Sequence, residues 1–151
     1  MGANLTIDEL VENFSLFDDW EDRYRYIIDL GRTLEPFPEE SRTRENKVEG
    51  CISQVWLTHR IEHIGEEEHL FFTADSDAHI VKGLLAVLLA LFSGRTPKDI
   101  LSIDADAKLA RLELDQHISP NRRNGVASVV QVVRSVARDR IEKAGNEPPH
   151  S

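Results

Sequence analysis

Hydrophobic residues recur at intervals of three and four near the start of the chain, which predicts two amphipathic helices. The first begins at Thr6, because Thr6 and Glu9 have the spacing of a capping box. The second begins at Asp18 or Asp19 and ends at Gly31. The apolar positions that define the two helices are Leu10, Val11, Phe14, Phe17, Trp20, Tyr24, Ile27 and Ile28.

The middle of the chain changes from helical periodicity to strand-like composition. Residues 32–46 hold two prolines and mixed charges, which predicts a long loop. Residues 48–61 and 69–73 are rich in β-branched and aromatic side chains, which favours two strands. The acidic segment 62–68 between them is interpreted as a solvated turn. We therefore expect an antiparallel hairpin or meander.

The second half of the chain returns to helical patterns. Residues 84–92 contain no polar side chain, which predicts a buried helix over residues 78–93, begun by Asp75, Ser76 or Asp77 and ended by Gly94. Thr96 and Pro97 predict a short helix to about Ile103. Another helix is expected over residues 104–114, and a last one from Ser119-Pro120 onward.

This order of elements predicts the fold class. Two helices, a small strand unit and four helices indicate an α+β fold, in which helices cover one face of a small antiparallel sheet. We expect one domain over residues 1–145 and a disordered tail over residues 146–151. The apolar run at residues 84–92 is too short to span a membrane, which needs about 20 residues.

Composition and charge narrow the function. The chain has 151 residues, of which 27 are acidic and 18 are basic, so its formal charge is −9. That balance disfavours nucleic-acid binding, which depends on basic groups that neutralise phosphates. Residues 1–6 contain neither a basic nor an apolar segment, so no signal peptide is expected. With a single cysteine and no export signal, a cytoplasmic location is expected.

Cys51 is the only cysteine, and it follows Gly50 at the junction of the long loop and the first predicted strand. A lone thiol cannot form an internal disulfide or a thiolate-rich metal site. A free cysteine is commonly a small buried hydrophobe. The glycine beside it and the polar loop before it favour instead a thiol presented to another molecule. Transient covalent carriage needs one sulfur only.

The remaining candidate residues have simpler interpretations. The six histidines are scattered, and His59 and His63 fall in a predicted strand and turn, so no metal site is expected. Asp75 and Asp77 could be paired catalytic carboxylates, but capping of the next helix is the preferred interpretation. Arg122 and Arg123 stand at a helix start, where acidic residues are usual, so they could bind a carboxylate or stabilise a nearby thiolate.

Three stretches together resemble the SufE family of sulfur-acceptor proteins, namely residues 48–57, 75–86 and 117–125. The segments Trp20-Glu21-Asp22-Arg23-Tyr24 and Ile27-Ile28-Asp29-Leu30-Gly31 are also similar to the second helix of that family. The resemblance covers roughly residues 5–140. It implies an α+β fold like that of the IscU scaffold proteins, in agreement with the order of elements above.

The resemblance also implies a partner and a role. The partner would be a SufS-type cysteine desulfurase, whose pyridoxal phosphate belongs to that enzyme, so no cofactor is expected on this chain. Cys51 matches the family cysteine that accepts persulfide sulfur and passes it on to a downstream acceptor such as a cluster-assembly scaffold. Arg122 matches the arginine of the family's Pro-x-Arg pattern, and Asp77 matches an acidic position near the active loop. The resemblance implies that these two residues and Gly50, which precedes Cys51 in its motif, bind the partner or position the loop.

Two other functions stay open at this point. In the first, the chain is a non-covalent adaptor or activator of a partner enzyme, and Cys51 is structural. In the second, the chain is a stand-alone cysteine hydrolase, which needs a base beside the thiol, and His117 is the best candidate for that base.

Overall fold

The computed structural model describes residues 6–51 and 53–146. The expectations for residues 1–5 and 147–151 lie outside these ranges, whereas Asn146, predicted to be in the tail, is the last residue of a helix. The described elements are α1 (Ile7–Ser15), α2 (Trp20–Gly31), β1 (Val55–Ile64), β2 (Glu67–Ser76), α3 (His79–Phe92), α4 (Pro97–Ser102), α5 (Ala105–Arg111), α6 (Leu114–His117) and α7 (Pro120–Asn146).

Side-chain caps begin three of the helices where the sequence predicted them. Thr6 accepts a hydrogen bond from the backbone N–H of Glu9, and Thr96 does the same for Asp99. Asp19, rather than Asp18, accepts from the backbone N–H of Asp22. Each cap satisfies a backbone donor that the helix itself leaves unpaired.

The sheet is an antiparallel hairpin, as predicted, but its strands have different bounds. β1 pairs with β2 from Val55 opposite Ser76 to Ile64 opposite Glu67. The predicted start at Val48 is wrong, because the strand begins at Val55 and the N–H of Val48 donates back to the carbonyl oxygen of Val55. The predicted turn over residues 62–68 is also too long: only Gly65 and Glu66 turn the chain, and Gly65 has the positive φ of 65° that a tight hairpin requires.

The core lies between the sheet and helix α3. Leu57, Leu70 and Phe72 of the hairpin are buried with the apolar side chains of α3, and helices α2, α4 and α7 close the same core. At the crossing of α2 and α3 the backbones touch, since a Cβ built on Gly83 would lie 2.1 Å from the carbonyl oxygen of Ile27. The α+β fold with helices packed on a small antiparallel sheet is confirmed.

The helices after the sheet number five in the described part of the chain, not four. The segment predicted as one helix over residues 104–114 is divided, because Glu113 adopts a left-handed φ of 57° that a continuing helix does not allow. A separate short helix, α6, follows.

No helix within the described ranges has both the length and the apolar character needed to cross a membrane.

Candidate functional site

Cys51 lies on a short closed loop, which we call the cysteine loop and whose described residues are 49–51 and 53–54. At its base the N–H of Val48 donates to the carbonyl oxygen of Val55 at 2.8 Å, and Lys47 forms a bridge with Trp56. Val48 and Val55 are both buried, so the two ends of the loop are anchored in the core. The predicted position of Cys51 at the start of a strand is therefore wrong, and the thiol stands on the loop that precedes the strand.

Asp77 fastens the end of the cysteine loop. The N–H of Gln54 donates to Asp77 Oδ1 at 3.1 Å, and the N–H of Asp77 donates to the carbonyl oxygen of Gln54 at 3.3 Å. The capping interpretation of Asp77 is wrong, because the N-cap residue of α3 is Ala78 and no side chain caps the helix. Asp77, from the stretch 75–86, thus holds the loop that belongs to the stretch 48–57.

Asp75 does not cap α3 either, and its carboxylate forms ion pairs instead. Its carboxylate is buried opposite Trp56, with Arg42 Nη2 at 2.5 Å and Lys82 Nζ at 3.5 Å. The Arg42 guanidinium also lies over the Trp56 ring, 5.3 Å from its centroid. Arg42 and Lys82 were missed by sequence reasoning, since Arg42 lies 33 positions before Asp75 and no local pattern links them.

The cysteine loop packs against the first turns of helix α7. The Sγ of Cys51 lies 3.7 Å from the carbonyl oxygen of Gly125. Gly50 has a φ of 90°, and a Cβ built there would lie 2.5 Å from Ser128 Oγ. A Cβ on Gly125 would lie 3.4 Å from the sulfur. The two glycines therefore allow loop and helix to approach closely, and Gly50 also supplies a backbone conformation that other residues rarely adopt.

A cavity of about 270 Å³ opens beside the thiol. Its floor is apolar and comes from β1, α3 and α7, whereas its rim is polar. Arg122 lies on this rim with Cys51, so the structure brings together two residues that are far apart in the sequence. The lining residues are Cys51, Ser53, Val55, Val81, Leu84, Leu85, Leu88, Ser119, Asn121, Arg122, Gly125, Val126 and Val129.

Comparison with known proteins identifies the family. Residues 8–137 match the family model SufE, described as an Fe–S metabolism associated domain. The chain belongs to the SufE family. It is 45% identical over 136 residues to an uncharacterised SufE-like protein of Rhizobium meliloti (strain 1021), covering 90% of this chain and 97% of the relative. A second uncharacterised SufE-like protein, from Rhizobium etli, is 44% identical over 135 residues, which cover 89% of this chain and 91% of the relative.

A solved structure has the same overall fold. The solution structure of a hypothetical protein from Thermus thermophilus superposes with a TM-score of 0.66, covering 90% of this chain and 96% of the other. Sequence identity is 17%, so this likeness concerns the fold alone. The resemblance drawn from the three motifs is confirmed, and the association of the family with iron–sulfur metabolism applies to this chain.

The surroundings of the thiol keep it protonated at rest. Burial raises the pKa of Cys51, and the carboxylate of Glu49 raises it further. The arginines at the start of α7 do not reverse this direction. Arg123 donates to the carbonyl oxygen of Asp115 at 3.3 Å and does not line the cavity. In this SufE-family chain, exposure of Cys51 or its movement away from Glu49 would therefore favour the thiolate.

Among the described residues that line the cavity, none is a histidine or a carboxylate that could serve as the base of a hydrolase. His117 does not line the cavity, and its ring stacks on Trp20 with centroids 3.8 Å apart. The Tyr24 hydroxyl donates to the His117 carbonyl oxygen, and Nδ1 of His117 lies 3.0 Å from the Glu113 carbonyl oxygen. His117 is thus part of the packing at the start of α7. Within residues 6–51 and 53–146, no three His, Cys, Asp or Glu side chains form a group that could hold a metal ion.

Proposed function

We propose that this SufE-family chain accepts persulfide sulfur from a SufS-type cysteine desulfurase onto Cys51. The observation that carries the proposal is the placement of the one thiol: half-buried on a loop anchored at both ends, beside an apolar cavity with Arg122 on its rim. The chain stimulates the desulfurase by removing its persulfide. It passes the sulfur to a downstream acceptor such as a scaffold for iron–sulfur cluster assembly.

The transfer is an exchange at sulfur. The Cys51 thiolate attacks the outer sulfur of the partner's persulfide, so a new S–S bond forms on Cys51 and the partner's S–S bond breaks. The partner's cysteine leaves as a thiolate and takes up a proton. The sulfane sulfur changes carrier without net oxidation or reduction, and the rate depends on thiolate fraction, leaving group and access.

The contacts of the cysteine loop suit a resting and a transferring state. At rest the neutral thiol faces Gly125 and the cavity, where it is shielded from oxidants. The anchors of the loop are Val48, Val55 and Gln54, which leaves Cys51 between them. Docking of the partner turns Cys51 outward, removes it from the carboxylate of Glu49 and lowers its pKa.

The chain acts as an accessory protein and not as an enzyme of its own. Pyridoxal phosphate is the cofactor of the partner desulfurase, and the reaction takes place in the cytoplasm. Arg122 binds the partner, and Gly50 and Asp77 position the loop.

The test combines the chain with a desulfurase, pyridoxal phosphate and L-cysteine. Mass spectrometry should find one added sulfur atom on the peptide that contains Cys51, and a thiol reductant should remove it. Cys51→Ser should neither gain sulfur nor stimulate the desulfurase. Ser53→Ala, on the same loop and the same cavity, serves as the matched control and should retain both properties. If Cys51→Ser stimulates as well as the parent, sulfur acceptance is overturned.

The raised pKa of Cys51 favours a second candidate, in which the cysteine is structural and the chain activates its partner without covalent chemistry. In that case Cys51→Ala should stimulate the desulfurase fully. Cys51 should also react with a thiol probe equally slowly with and without the partner.

A further inference from the structure

The outer edge of strand β1 is unpaired along most of its length. β1 pairs with β2 on one side, and on the other side the described residues supply only the contacts of Asn46 and residues 47–48 near its start. Beyond Leu57, no strand among the described residues continues the sheet. An open edge of this kind is a template for pairing with another strand.

The hydrogen-bond pattern identifies the backbone groups on that edge. The N–H of Leu57 donates outward to Asn46, away from β2. Because inward and outward residues alternate in an antiparallel pair, the N–H and C=O groups of His59, Ile61 and His63 also point outward. Those of Arg60 and Glu62 point inward to β2. Residues 58–64 therefore form an open edge between the Asn46 contact and the Gly65 turn.

The sequence of this edge is complementary to itself. If two copies pair antiparallel about Ile61, each outward residue meets another outward residue: Ile61 faces Ile61, and His59 faces His63 of the second copy. In the same register Arg60 faces Glu62 of the second copy, at the positions where opposing side chains come closest. Both charged side chains are about half exposed, at 50% and 49%. A register centred between two residues would oppose inward and outward groups, and a register centred on Arg60 or Glu62 would place two identical charges opposite each other.

We propose that the β1 edge, residues 58–64, is an interface through which two copies of the chain associate and form one continuous antiparallel sheet. Burial of Ile64, which is 52% exposed, against Thr58 of the second copy adds apolar contact. Burial together with Arg140 and Lys143 lowers the pKa of His59, so the histidine pairs do not oppose two cations at neutral pH.

The proposed dimer leaves both thiols accessible. Val55 lies six residues before Ile61 along β1, so the two Val55 residues would be about 40 Å apart, at about 3.4 Å per residue. The cysteine loops would stand at opposite ends of the shared sheet. The proposed dimer interface and the proposed sulfur transfer use different residues, so either proposal can fail without affecting the other.

Charge exchange across the edge tests the proposal. Sedimentation equilibrium of the parent chain should detect a dimer that dissociates on dilution. Arg60→Glu and Glu62→Arg alone should each weaken association about tenfold or more, since each opposes like charges twice. The double variant Arg60→Glu/Glu62→Arg should recover it, and an equimolar mixture of the two single variants should form the heterodimer. Glu21→Arg, a charge change at an exposed position of α2, serves as the control.

Amide hydrogen exchange provides a residue-level measurement. The amides of His59, Ile61 and His63 should gain protection as concentration rises, whereas those of Arg60 and Glu62 are already protected by β2. A parent chain that stays monomeric up to millimolar concentration would overturn the proposal, and the edge charges would then serve to prevent pairing. Protection of the three outward amides in the monomer, independent of concentration, would overturn it too, because the chain would then cover its own edge.

Discussion

Arg42 and Asp75 are joined by a contact of 2.5 Å between Nη2 and Oδ2, which ties the segment before the cysteine loop to a buried carboxylate at the end of β2. Arg42→Ala leaves that carboxylate with Lys82 at 3.5 Å as its remaining ion-pair partner. We expect the free energy of unfolding to fall by about 1–3 kcal/mol, because a buried charge loses a charged hydrogen bond. Urea denaturation measures this change.

The control for Arg42 is Arg32→Ala, which removes an exposed ion pair with Asp29. It should cost no more than about 1 kcal/mol. Equal losses from the two variants would contradict the structural role of the Arg42–Asp75 contact.

Gly50 combines a left-handed φ with close approach to Ser128. Gly50→Ala should therefore lower stability by more than the roughly 1–2 kcal/mol that the backbone conformation costs by itself. It should also speed alkylation of Cys51, because the loop must move away from α7. Gly65→Ala is the matched control: its φ is 65°, and a Cβ there meets nothing within 4 Å.

The double variant Gly50→Ala/Ser128→Ala separates the two causes. Removal of Ser128 Oγ leaves the added Cβ with an ordinary contact of 3.4 Å to the Cβ of residue 128. The remaining cost should then resemble that of Gly65→Ala. A double variant no more stable than Gly50→Ala would show that the steric explanation is wrong.

Burial is the larger cause of the raised pKa of Cys51, and the carboxylate of Glu49 raises that pKa further. Glu49→Gln removes the negative charge and should lower the pKa of the thiol, so that alkylation by iodoacetamide at neutral pH becomes faster. The midpoint of the pH–rate profile should move to lower pH. Glu45→Gln, on the preceding loop, is the control, and a profile that is the same for parent and Glu49→Gln would contradict the assignment.

Arg122 lines the cavity beside Cys51, whereas the neighbouring Arg123 does not. In the desulfurase assay Arg122→Ala should raise the chain concentration needed for half-maximal stimulation about tenfold, as expected for loss of a charged contact worth about 1.5 kcal/mol. Arg123→Ala should have little effect on this concentration. The expectation fails if both variants change it equally.

Asp77 holds Gln54 through one carboxylate oxygen. Asp77→Asn keeps an acceptor oxygen at this position and should preserve slow alkylation of Cys51. Asp77→Ala removes the acceptor and should speed alkylation. If Asp77→Asn behaves like Asp77→Ala, the charge of Asp77 matters and the hydrogen bond alone does not explain its role.

The parts of this fold that were predictable from sequence depend on local interactions. Thr6, Asp19 and Thr96 cap helices through residues three positions later, so each signal lies within one short segment. The buried helix α3 was equally clear, because its apolar residues are continuous.

The errors arose where distant residues decide the structure. The strand was predicted to start at Val48, but it starts at Val55, because the N–H of Val48 donates to the carbonyl oxygen of Val55 and closes a loop before the strand. Asp75 is a residue type that commonly caps helices, but its carboxylate forms an ion pair with Arg42 instead. The family resemblance proposed Cys51, Asp77 and Arg122 as site residues, whereas the contact of Cys51 with Gly125 joins residues 74 positions apart and no spacing rule predicts it.

The crossing of α2 and α3 limits how this chain can vary. At Gly83 even one methyl group would overlap the Ile27 carbonyl oxygen, and at Gly31 it would lie 2.8 Å from the Gly83 nitrogen. In a saturation library selected for folded protein, we therefore expect only glycine at position 83 and almost only glycine at position 31. Gly31 and Gly83 do not line the cavity beside Cys51, yet they would be among the residues that tolerate substitution least.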